Sequence, residues 1–142
     1  MTLSEKEKIV QLTARYFWAV DEGDIETYLD CWTADGESQA SYGSAQGAAE
    51  LKIRFLSMQE GLSKNKRHIV SNFVIEFEQE VALQKCYLLI IDRKKPALVA
   101  TATYQDTLVR TADGWKFSLR KITVDPNWQH HELTKKSFIQ NK

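Results

Sequence analysis

Near residue 66 the hydrophobic period of the chain changes from helical to extended, and this change decides the fold class. Before it, Ile9, Leu12, Tyr16 and Val20 keep helical spacing, as do Val10, Ala14, Phe17 and Asp21. Ser4 followed by Glu7 is a capping-box pair, so a helix is predicted to start there. Gly23 can end that helix, and Asp24 can cap a short second one carrying Ile25, Tyr28, Leu29 and Trp32. The polar, glycine-punctuated stretch from Thr33 to Gly47 reads as a loop, with at most a short edge strand around Glu37–Tyr42. A third helix is expected from about Ala48 to Leu62, with Leu51, Phe55, Met58 and Leu62 on one face.

After the basic turn Lys64–Arg67 the period is two. His68, Val70, Asn72, Val74 and Glu76 alternate with Ile69, Ser71, Phe73, Ile75 and Phe77. Strands are expected over about 67–78, 81–92, 98–110 and 115–124, with a hairpin at Asp113-Gly114 and a stop at Pro126. Long consecutive strands joined by short turns make an antiparallel sheet, and amphipathic helices must cover one of its faces. The expected class is α+β, with three N-terminal helices packed in a curved antiparallel sheet.

The 142 residues make one domain, 1–142, with a core over about 5–125 and a C-terminal tail over 126–142. Hydrophobic residues are 43% of the chain, enough for one core. Lys+Arg and Asp+Glu are 19 each, and this zero net charge removes the electrostatic case for nucleic acid or an anionic membrane as a partner. The start is charged where a leader would be apolar, so the expected location is cytoplasmic. Cys31 and Cys86 have no CxxC spacing and read as buried thiols. His130 and His131 are adjacent, a poor spacing for a metal pair, and no phosphate loop, HExxH or GxSxG motif is present. No metal and no cofactor are therefore expected. Trp18, Trp32 and Trp115 read as core or pocket lining.

Chemistry falls to few residues. His68 is the histidine placed inside a predicted element, and Asp21 ends an otherwise apolar helical stripe. A carboxylate facing a core needs a donor, and at a helix C-terminus the dipole disfavours it as well, so Asp21 should have a specific partner. An aspartate that accepts one imidazole N–H leaves the other ring nitrogen as a general base or acid. The same pair also serves as a structural contact, with Asp21 belonging to the DEGD turn and His68 to the core.

Three stretches, RYFWAVDEGDIETYLDCWTADGE, KRHIVSNFVIEF and TYQDTLVRTADGWKFSLRKITVD, resemble the SnoaL-like branch of the nuclear-transport-factor-2-like superfamily. The resemblance runs from about residue 5 to 125 and implies a cone-shaped, cystatin-like α+β barrel with an apolar pocket at its wide end. Asp21 and His68 match by position the aspartate and histidine of scytalone dehydratase and of hexachlorocyclohexane dehydrochlorinase, where the pair promotes elimination. RHIVSN and RKITVD look more like the small subunit of ring-hydroxylating dioxygenases, whose role is structural. The dehydratase tyrosine before the aspartate is Val20 here, its second pocket histidine falls near Ile91–Arg93, and the dehydrochlorinase lysine falls near Tyr16.

These readings imply a pocket for a small apolar or aromatic molecule. One expectation is a lyase or isomerase of the dehydratase kind that abstracts a proton with His68, oriented by Asp21. Phe17, Trp32, Tyr42, Asn72 and Tyr104 would then contact the substrate. The other is a noncatalytic binding protein or structural small subunit. The second strand is apolar on both faces, with Val81, Leu83, Leu89 and Ile91 against Ala82, Cys86, Leu88 and Ile90. A helical layer covers one face, so a homodimer through the other is expected, with a trimer as the variant.

Overall fold

The computed structural model describes residues 2–61 and 63–126. Helix α1 (Glu5–Glu22) starts at the expected capping box: Ser4 Oγ accepts from the Glu7 N–H, and the Glu7 carboxylate accepts from the Ser4 N–H. Gly23 ends it with φ of 74°, a left-handed conformation that suits glycine. Asp24 caps α2 (Ile25–Asp30), accepting from the Thr27 N–H.

The chain then departs from expectation. Trp32 opens strand β1 (Trp32–Ala40) instead of closing α2, and β2 (Gly43–Gln46) returns beside it. The polar segment forms a hairpin because its end, Ser41-Tyr42-Gly43, turns tightly; Gly43 has φ of 129°. Helix α3 (Gly47–Glu60) follows, then β3 (Lys66–Glu78), β4 (Val81–Asp92), β5 (Ala97–Thr111) and β6 (Gly114–Val124). The four later strands lie where the period-two pattern put them. The third helix therefore comes after the first hairpin, not directly after α2. Leu62, His130, His131 and the tail past Pro126 lie outside the described residues.

The six strands form one curved sheet in the order β2-β1-β6-β5-β4-β3. All neighbours are antiparallel except β1 and β6, which run parallel and are joined by a long connection through β2, α3, β3, β4 and β5. The sheet does not close; β2 and β3 are its edges. The α+β class therefore holds, with helices packed against a curved, mainly antiparallel sheet.

Two irregularities position the site. Between Ser71 and Val74, β3 holds one residue more than β4, and Asn72 takes φ of 60°. This bulge shifts the alternation, so His68, Val70, Phe73 and Ile75 face the helices, while Ile69 and Val74 are exposed. The core joins Ile9, Leu12, Tyr16, Phe17 and Val20 of α1 to Leu88, Ala100, Ala102, Leu108 and Phe117 of the sheet. Trp115 and Trp32 are core residues, whereas Trp18 is 63% exposed. Trp18 is offset from the buried Phe17 and Tyr16 by one and two residues, which turns it to the outer face of α1.

Candidate active site

Asp21 stands in the last turn of α1 and His68 near the start of β3, and α1 packs against that strand. The His68 Nδ1 lies 2.6 Å from Asp21 Oδ1, and the His68 backbone N–H donates to Asp21 Oδ2 at 3.2 Å. Both carboxylate oxygens are thus held by one residue. The side chains are 6% exposed for His68 and 18% for Asp21, so water competes little for the contact. Asp21 as acceptor puts the ring proton on Nδ1 and leaves Nε2 unprotonated in the neutral imidazole. The Phe17 ring stacks on the imidazole at 5.6 Å with 14° between planes, which fixes the ring's tilt. The next carbonyl of the helix, Val20 O, accepts from Gln59 Nε2 at 2.7 Å, tying the end of α1 to α3.

His68 opens onto a cavity with mostly apolar walls. Tyr16, Phe17 and Val20 of α1, Met58 of α3, and Leu88, Ile90, Ala100, Ala102, Ile122 and Val124 of the sheet line it. Polar groups enter it from Tyr42, Ser57, Ser63, His68 and Tyr104. The space open to the centre of a water molecule is about 50 Å³. One water needs roughly 10–15 Å³ by that measure, so a small organic molecule is the scale of guest that fits.

The sequence-derived site residues divide in the structure. Asp21, His68, Phe17, Tyr42 and Tyr104 come together at this cavity. Asn72 does not: it is exposed on the β3 bulge and is not among the lining residues, because the extra residue breaks the alternation that linked it to His68. Trp32 does not line the cavity either. It is 4% exposed within the aromatic core, edge-on to Tyr16 and Tyr28.

Burial pushes the Tyr104 hydroxyl well above its ordinary pKa and raises that of Tyr42 as well, so both stay protonated and able to donate. Burial likewise raises Cys31 and Cys86 to about 11, which leaves both thiols inert as nucleophiles.

Three features at or around the cavity were not picked out by sequence reading. Arg54 is 8% exposed and donates to Ser38 O, Ser38 Oγ and Gly43 O, while its guanidinium lies 5.3 Å from the Tyr42 ring centroid. It clamps the β1–β2 turn that carries Tyr42 to the cavity. Arg120 is fully buried behind the cavity wall and forms a two-pronged ion pair with Asp106, at 2.8 and 3.1 Å. Its guanidinium sits 4.0 Å from the Tyr104 ring centroid and 4.5 Å from that of Tyr16. Burial works to lower the Arg120 pKa, and the Asp106 carboxylate together with the neighbouring Tyr104 and Tyr16 outweighs it, so the cation persists. Gln84 completes this cluster by donating to Asp106 and to Thr13 of α1. The third feature is Ser63, 5% exposed, whose Oγ is 3.4 Å from His68 Nε2. Asp106 and Arg120 were within reach of strand alternation, since both fall on the inward set with Tyr104 and Ile122. Ser63 had no such signal, being a turn residue.

Among the described residues, no three His, Cys, Asp or Glu side chains gather in a way that could hold a metal ion. No described helix is long and apolar enough to cross a membrane.

A SnoaL-like domain model matches residues 1–121. The chain belongs to the SnoaL-like family. No curated protein matches it. A solved protein of unknown function from Nostoc punctiforme, with a cystatin-like fold, is 30% identical; the match covers 91% of this chain and 98% of that one, with a TM-score of 0.84. A candidate scytalone dehydratase from Novosphingobium aromaticivorans shares the fold at 23% identity, covering 86% and 85% of the two chains, with a TM-score of 0.76. A Catenulispora acidiphila protein solved in complex with S-DNPA is 25% identical, covering 83% and 91%, with a TM-score of 0.74. A cystatin-like α+β fold is what this chain shares with them.

Proposed function

We propose that this SnoaL-like protein is a lyase or isomerase that works by proton abstraction on a small cyclic or aromatic compound, with side chains as its working groups. The observation that carries the reading is the 2.6 Å Asp21–His68 contact at the wall of the cavity. Asp21 accepts a hydrogen bond from Nδ1–H and stabilises the imidazolium that forms when Nε2 takes a proton from carbon. The electrons left behind move onto a neighbouring oxygen as an enolate, and the Tyr42 or Tyr104 hydroxyl donates to that oxygen. His68 returns the proton to a second position for isomerisation, or to a leaving group for elimination. The ligand complex of the Catenulispora relative supports a binding role for the cavity.

Incubation with a panel of cyclic ketones and phenols in heavy water tests this, with deuterium entry read by mass spectrometry. Exchange at an acidic carbon in the native protein, lost in His68→Ala, is the expected result. A panel that binds but exchanges no faster than with His68→Ala would leave a noncatalytic binding protein. That second reading has its own support: Val20 and Ile91 stand near the positions where the dehydratase pattern has a tyrosine and a histidine. In either case we infer that the outer face of the sheet pairs with a second copy of the chain.

A further inference from the structure

We propose that Ser63 is a nucleophile and that the cavity has a second capacity, acyl transfer from a small ester. Ser63 Oγ, His68 and Asp21 form a continuous chain: 3.4 Å from Oγ to Nε2, then 2.6 Å from Nδ1 to Oδ1. This is the relay in which a carboxylate fixes the imidazole tautomer and the imidazole draws the proton from a hydroxyl. The order in sequence, Asp21, Ser63, His68, is immaterial, because such relays are defined by geometry and role. A separation of 3.4 Å is long for a hydrogen bond, as is common before a substrate closes the contact.

Three observations mark Ser63 as more than a turn residue. Its side chain lines the cavity while the residue is 5% exposed. Its backbone is fixed on both sides, the N–H donating to Met58 O at 3.1 Å and the carbonyl accepting from the Lys66 N–H at 3.3 Å. The Phe17 ring holds the imidazole plane against it. The neighbouring walls from Met58, Leu88 and Ile90 suit a short acyl chain.

The step balances with the ester alone. Ser63 Oγ bonds to the carbonyl carbon as His68 Nε2 takes the hydroxyl proton. The tetrahedral intermediate then expels the alkoxide or phenoxide, which receives that proton from His68 and leaves as the alcohol. Water, with His68 again as base, releases the acid and restores Ser63. The backbone N–H groups of Ser63 and Lys64 are committed to Met58 O and Gly61 O, so no adjacent pair cradles the oxyanion. Acylation is therefore expected as a slow, stoichiometric event and not as rapid turnover.

The probe is p-nitrophenyl acetate with the full chain, followed by p-nitrophenol release and tryptic mass mapping. The expected result is one equivalent of nitrophenol and one acetyl group on Ser63, with fragment ions separating it from Ser57 in the same peptide. Ser63→Ala should abolish the acetyl group, and His68→Ala should slow it by roughly 10²-fold or more. Ser63→Cys, alkylated by iodoacetamide in a His68-dependent way, gives a second readout should the alanine variant fold poorly. Acetyl on another residue, equal labelling in His68→Ala, or no labelling together with an inert Ser63→Cys thiol would overturn the proposal. The relay rests on Asp21 and His68, which the proton-abstraction reading also uses, and the two readouts separate them: deuterium exchange in the native protein without acetyl on Ser63 overturns acyl transfer alone, and acetyl on Ser63 without exchange overturns proton abstraction alone.

Discussion

The Asp21 carboxylate occupies the last turn of α1, where the helix dipole opposes a negative charge. Two N–H donors from His68 offset that cost. In Asp21→Asn the amide can present an N–H to Nδ1, which favours the opposite imidazole tautomer and removes the base from the cavity. Any deuterium exchange should fall by roughly 10²-fold or more while the cavity still takes up ligand, as isothermal titration would show. The buried Asp106–Arg120 pair makes a different demand. Asp106→Leu alone strands a cation that is 0% exposed and should cost about 3–5 kcal/mol in urea denaturation. Asp106→Leu with Arg120→Met removes both charges and should recover most of that loss. If the double variant were as unstable as the single one, packing and not the stranded charge would be the cause.

At the scale of elements, the start of α1 is stapled to the β5–β6 hairpin. Arg110 and the Trp115 Nε1–H both donate to Glu5, and these hydrogen bonds lower its carboxyl from 4.5 to about 2. A depressed carboxyl pKa stabilises the fold above the unfolded value and loses that contribution as pH falls through the folded one. The staple should therefore weaken between about pH 4.5 and 2, and Glu5→Gln should flatten the acid side of a denaturation-midpoint profile over that window. The β3 bulge is a second device. Asn72→Val puts a β-branched residue at φ of 60° and should cost about 1–2 kcal/mol, whereas Asn72→Gly should keep the stability and the cavity intact. The same bulge marks the limit of what the sequence disclosed. Period-two spacing located β3 to β6 and the inward His68, because burial on one face dictates alternation. It could not show the extra residue at Ser71–Val74, since a bulge leaves the composition of a strand unchanged and only its parity reveals it. β1 was legible only in its second half, where a short edge strand reads around Glu37–Tyr42: the stretch Thr33–Ala40 has little apolar alternation, and its pairing with β6 is a long-range contact. Ser63 was silent because a turn serine is ordinary until the fold sets it beside His68.

The whole molecule keeps one sheet face for its helices and leaves the other in water. Leu83 and Tyr87 of β4 are 43% and 55% exposed, beside Ile69 and Val74 of β3 at 42% and 46%. Register places Thr107 and Leu119 next to Leu83, and Gln105 and Lys121 next to Lys85. Glu76 pairs with Leu83 from one side, and Glu37 with Leu119 from the other. An apolar strip thus lies between acidic positions and a central pair of lysines. A two-fold axis through such a face can set the acidic positions of one copy over the lysines of the other, so the surface is suited to its own copy. Light scattering at micromolar concentration should give twice the mass of the chain. Leu83→Lys would add a third positive charge beside Lys85 and Lys121 in each copy, and should raise the dissociation constant by roughly 30-fold or more without lowering the melting midpoint of the monomer. Moderate salt should weaken the dimer only in part, because screening reaches the exposed charges and not the apolar strip. A particle of single-chain mass in the native protein would mean that this face meets water or a different chain. A dimer indifferent to Leu83→Lys would place the contact elsewhere, with the sheet edges β2 and β3 as the next surfaces to test, since both present unpaired backbone groups.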